Sequence, residues 1–102
     1  MSESYAALLA EYDGRERIPL RELGERLGMD RAARSYAVTS GVIDTAGRAG
    51  LGGGYVIDHD EAVRLIVAAA LAVGGAVAIV AILRGIKGAG LSPGVLAAAL
   101  PQ

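Results

Sequence analysis

Asp58, His59 and Asp60 set the chain's single histidine between two carboxylates, an arrangement able to pass a proton. No nucleophile or second histidine stands nearby, so a solvated helix start explains the triplet better than catalysis does. Just upstream, "GRAGLGGGYVIDHDEAV" (47–63) gathers five glycines, which raises the question of a phosphate cradle. The cluster misses the G-x-G-x-x-G spacing, and no Gly-Lys-Ser/Thr run exists to hold phosphates. With no cysteine, thiolate metal sites and disulfides are excluded, and one histidine builds no metal cluster. The expectation is a protein that is not an enzyme and carries no cofactor or metal. What remains is arginine chemistry. Arg21, Arg31, Arg34 and Arg48 are donors suited to phosphate oxygens and to the guanine edge.

The elements that must position them follow from spacing. Tyr5, Leu8, Leu9 and Tyr12 recur at helical intervals after Ser2 or Ser4 as cap. In "IPLRELGERLGM", Leu20, Leu23 and Leu27 share a helical face, Pro19 suits a first helical position and Gly28 a helix end. Asp30 then caps a third helix with Ala33, Tyr36 and Ala37 as its inner stripe and Arg31, Arg34, Ser35 and Val38 on the other side. "VIDTAGRAGLGGGYVID" reads as two short strands joined by a glycine-rich hairpin loop. Asp58 with Glu61 three residues on has the form of a capping box. Ser92 and Pro93 open a last short helix that Pro101 closes.

Helix, helix, glycine turn, helix and hairpin is the order of a winged helix-turn-helix. "LRELGERLGMDRAARSYAVTSGVID" resembles the DNA-binding half of the MerR family, with Gly28 as the turn glycine and Gly41 thirteen residues on. "GGYVIDHDEAVRLI" is similar to that family's wing and the helix after it, so the likeness covers residues 18–66. The resemblance implies a mainly α fold, a winged helix-turn-helix with a small glycine-rich β-hairpin wing and an apolar C-terminal helical segment. It also implies a double-stranded DNA partner, with Tyr36 as the recognition-helix aromatic and Tyr55 as the wing tyrosine. Ser35 stands where the family has arginine, and Val56 and Asp58 stand where it has basic and aromatic residues. DNA contact is therefore expected at Arg21, Arg31, Arg34, Ser35, Tyr36, Arg48 and Tyr55, weak in one copy and strengthened by assembly.

A formal net charge of −1 conceals an uneven layout: every acid lies at or before Glu61, and beyond Arg64 only Arg84 and Lys87 are charged. The expected division is a winged domain over 1–61 and an apolar helical segment over 62–102. Residues 65–83 carry no polar side chain, and at about 1.5 Å rise they approach the ~30 Å hydrocarbon thickness. A membrane span over 65–83 is physically open, with Gly74-Gly75 able to kink the run. The favoured alternative buries Leu65, Ile66, Leu71, Val77, Val80, Leu83 and Leu96 against a second copy, as a homodimer or larger assembly. An N-terminus without a basic, apolar leader points to a cytoplasmic protein, and the Ala/Gly/Arg-rich composition suits a bacterial or phage source. Transcription regulator, excisionase-like architectural factor, DNA-free assembly module and membrane-tethered winged protein all remain open from sequence.

Overall fold

The computed structural model describes residues 4–48 and 54–99, so the Ser2 cap, most of the glycine loop and Pro101 lie outside the described residues. The fold is mainly helical. In chain order it runs α1 (Tyr5–Tyr12), β1 (Ile18–Pro19), α2 (Leu20–Arg26), α3 (Arg31–Thr39), β2 (Gly47–Arg48), β3 (Tyr55–Ile57), α4 (His59–Leu71), α5 (Ala76–Ala89) and α6 (Pro93–Ala98).

Short polar side chains start most of these helices by accepting a backbone N–H that lacks an intrahelical partner. Ser4 accepts from Ala7 at 3.1 Å, Asp30 from Ala33 at 2.8 Å, Asp58 from Glu61 at 2.8 Å and Ser92 from Val95 at 3.3 Å. Helix α2 ends at a glycine as its spacing predicts. Gly28 adopts φ 81°, and the Met29 and Gly28 amides donate back to the Gly24 and Glu25 carbonyls at 2.8 and 3.2 Å. That double closure reverses the chain and drops Met29 into the core, 1 % exposed. The end of α3 repeats the pattern: Val42 donates to Ala37 at 2.9 Å and Gly41 to Val38 at 3.1 Å.

Two local expectations change. Pro19 is not the first helical residue of α2 but the end of a strand, and it serves as the cap position of that helix without a side-chain bond. Ile18 and Pro19 pair antiparallel with Ile57 and Val56, giving a three-stranded sheet of order β1-β3-β2. Gly47 and Arg48 pair with Val56 and Tyr55 on the other edge. Val42 and Ile43, read as part of a strand, instead hang both amides on the Ala37 carbonyl and bury their side chains. The drive to cover two branched side chains beside α3 outweighs their strand propensity.

The apolar half folds back on the rest of the chain. Gly74 and Gly75 take φ 115° and 88°, a region L side chains avoid, and separate α4 (13 residues) from α5 (14 residues). Each helix is then roughly 20 Å long. Among the described residues no helix is long and apolar enough to cross a membrane, which removes the less favoured alternative of a span over 65–83. Helix α4 packs against α1, α5 and α6, and residues from both sides of the expected 61/62 boundary share one core. The expected self-association set is corrected accordingly. Leu65, Ile66, Val80, Leu83 and Leu96 are buried against this chain's own helices, because the bend brings α5 and α6 onto α4; Leu71 and Val77 stay exposed.

Candidate nucleic-acid interface

Helix α3 crosses beside α2 and the β2–β3 edge, leaving an open groove of about 970 Å³. Six of the seven residues expected to contact DNA line it: Arg21, Arg31, Arg34, Ser35, Arg48 and Tyr55. They come from four separate elements, so no stretch of sequence alone contains the site. The two carboxylates on the groove wall are already engaged. Glu25 accepts from Arg21 at 3.2 Å across one turn of α2, and Asp30 caps α3.

The four arginines are held differently. Arg31 is exposed and makes no hydrogen bond or ion pair among the described residues. Arg34 is half-buried: its Nη1 donates to the Met29 carbonyl at 2.7 Å and its methylenes cover Gly24. A Cβ at residue 24 would meet Arg34 Cδ at 2.6 Å, so a glycine inside α2 makes room for the arginine of the next helix. Arg48 lies on the Tyr55 ring, its guanidinium carbon 4.6 Å from the centroid, and its Nη2 donates to the tyrosine oxygen at 3.4 Å. Stacking of this kind holds the charge in place while leaving its outer edge to solvent.

Arg17 does not line the groove but reaches the backbone of one residue that does. Its Nη2 donates to the Arg48 carbonyl at 3.3 Å, which ties the approach to β1 to the opposite edge of the sheet. Pairing of residues 18 and 57 brings it there, and the second arginine of "DGRER" carries no trace of that pairing.

Tyr36 is not in this groove. Two residues beyond Arg34 on a helix of about 100° per residue, it points to the other flank of α3. There it is 55 % exposed and its hydroxyl accepts weakly from Arg84 Nη2 at 3.5 Å. It therefore stands outside the groove that the other six expected residues line.

Two polar clusters, each centred on one buried side chain, Glu61 and Tyr12, set the platform. Glu61, 2 % exposed, does not reach back to the Asp58 amide to complete a capping box. Its Oε2 accepts from the Asp44 amide at 2.6 Å and from Lys87 Nζ at 2.5 Å, while its Oε1 accepts from Arg64 at 3.1 Å. Lys87 also donates to the Val42 carbonyl at 2.9 Å and to Asp44 Oδ2 at 2.8 Å. The segment between α3 and β2 is thus clamped to α4 and α5. The second cluster joins α1 to α2. Tyr12 donates to Glu22 Oε2 at 2.6 Å and accepts from Arg26 at 3.2 Å, with the Arg15 and Arg26 guanidinium groups near its ring. Burial pushes the Tyr12 hydroxyl above its usual pKa, and the bond to Glu22 adds to the shift. Arg26 forms a short fork with Glu11, and that hydrogen bonding holds the Glu11 carboxyl below its ordinary range. Among the described residues no buried side-chain polar atom lacks a partner.

No family model, curated protein or solved structure matches this chain.

Proposed function

We propose that this chain is a small winged helix-turn-helix protein of MerR-like type that binds double-stranded DNA, with α2 and α3 as the helix pair and β2–β3 as the wing. The observation that carries the reading is the convergence of Arg21, Arg31, Arg34 and Arg48 on one groove whose two acids are already satisfied. Arg31 is the base-edge reader, since its guanidinium is uncommitted. Arg34 fixes the angle between the helices, and Arg48 on Tyr55 meets the phosphate backbone from the wing. A protein of this kind serves as a transcription regulator or as an architectural factor that coats neighbouring sites.

The test is a titration of duplex DNA by fluorescence anisotropy at several salt concentrations. Two phosphate neutralisations, by Arg48 and Arg21, give a slope of log K against log salt of about −1.8. Absence of binding at low salt, or binding indifferent to salt, overturns the proposal. A second reading, an assembly module without DNA binding, draws on the exposed apolar flank that Tyr36 and Val77 share. It is favoured if the wild-type chain ignores DNA of every sequence.

A further inference from the structure

On the flank of α3 opposite the arginine groove lies a second depression of about 460 Å³, walled by α3 and α5. Its floor and rims are apolar, from Ala33, Tyr36, Val77, Val80 and Ala81. Val77 is 83 % exposed and Tyr36 55 %, and the corner where α4 gives way to α5 adds Leu71 at 58 % and Val73 at 93 %. Large side chains gathered in this way mark a surface that a partner covers.

The charges at its rim indicate which partner. Asp30 and Arg84 both line the depression. Arg84 donates to the Tyr36 hydroxyl, and Asp30 and Arg84 form no ion pair with each other. The groove therefore carries one acidic and one basic group on its rim. A two-fold axis across it would reverse the second copy and set each Asp30 against the other copy's Arg84, as a self-complementary contact requires. Neither charge forms an ion pair among the described residues. With a formal net charge of −1, two copies meet without appreciable long-range repulsion.

We infer that the α3–α5 flank docks a second copy of this chain, its apolar groove closed by Val77 and Tyr36 and its register fixed by two reciprocal Asp30–Arg84 pairs. The inference does not rest on DNA binding, although Asp30, at the start of α3, borders both grooves.

Sedimentation velocity of the full chain without DNA, from micromolar to submillimolar concentration, tests it. The wild-type chain is expected to form dimers within that range. Val77→Asp, Arg84→Glu and Asp30→Lys are each expected to weaken the dimer about tenfold or more by placing unpaired or like charges in the contact. An equimolar mixture of the Arg84→Glu and Asp30→Lys chains restores it, since both pairs in the mixed dimer are then opposite in charge. If loss of the α3 cap unfolds the Asp30→Lys chain, the other two variants decide alone, with thermal unfolding confirming that they remain folded. A wild-type monomer throughout the range overturns the proposal and leaves the flank to a different protein or a lipid surface. A dimer indifferent to both Val77→Asp and Arg84→Glu overturns it equally.

Discussion

Arg34 and Gly24 fit together through a missing side chain: the arginine's Cδ occupies the space that a Cβ on residue 24 would need, at 2.6 Å. An alanine in the middle of α2 would by itself favour the helix by about 1 kcal/mol. Here it must push Arg34 off the Met29 carbonyl, a charged hydrogen bond worth about 1.5 kcal/mol or more. Gly24→Ala is therefore expected to be neutral to destabilising. Gly24→Ala/Arg34→Ala is expected to be more stable than the two single changes sum to, by about 1 kcal/mol. Urea unfolding of the four chains in that cycle checks the coupling, and strict additivity would show that the contact carries no energy.

Arg31→Ala and Arg48→Ala are expected to act differently on duplex binding. Removing Arg48 lowers affinity for all sequences alike and flattens the salt slope by about one unit. Removing Arg31 costs about 1–3 kcal/mol on a preferred sequence and much less on others. Tyr36→Ala changes DNA affinity little, because the side chain lies on the far flank of α3. Anisotropy titrations on one selected and one random duplex separate these outcomes.

Glu61→Ala is expected to be the most damaging change in the polar set. It leaves Lys87 without its buried carboxylate and the Asp44 amide without an acceptor. Breaking one side of a buried pair costs about 3 kcal/mol. Lys87→Met should cost less, since Arg64 still pairs with Glu61 and the lysine is partly open to solvent. Denaturant midpoints rank the two, and the reverse ranking would refute the assignment of Glu61 as the centre of the clamp.

Tyr12 ties stability to alkaline pH. Its folded pKa is raised, so the stabilisation is fully present below the unfolded value of about 10 and is lost as pH rises through the folded value. Glu11 works in the opposite sense: its folded pKa is depressed, so its contribution is present above the unfolded value of about 4.3 and disappears as pH falls. Tyr12→Phe is expected to flatten the alkaline limb of a stability–pH curve while leaving the acid limb unchanged. Urea unfolding across that pH range is the check.

Gly75→Ala isolates a backbone effect. Nothing stands within 4 Å of a Cβ built there, so no clash arises, yet φ 88° disfavours any side chain. The expected cost is about 1–3 kcal/mol, read from thermal or urea unfolding. A neutral result would mean that the bend between α4 and α5 tolerates other backbone angles.

Much of this architecture was legible from local signals. Ser4, Asp30, Asp58 and Ser92 announce their helices because a cap needs only one short side chain and the next three residues. Six of the seven expected contact residues line one groove, because caps, helical spacing and glycine turns already give the order of elements that brings them there. Pairing across forty residues was not legible: Ile18 and Pro19 become a strand only because Ile57 and Val56 arrive beside them. The same holds for Glu61, which looks like half of a capping box until Lys87 approaches from α5. Tyr36, which spacing sets on the stripe opposite Arg34, is the one expected contact that stays outside the groove, as the 100° step of the helix requires.

The clamp of Lys87 on Val42, Asp44 and Glu61 has a consequence for the birth of the protein. On a ribosome, α3 and the approach to the wing emerge long before Lys87 does. Until α5 is clear of the exit tunnel, Glu61 lacks its cation and Leu65 and Ile66 lack the helices that cover them. The arginine groove acquires its fixed shape only once α5 has emerged and Lys87 can close the clamp. The groove therefore takes shape late and all at once.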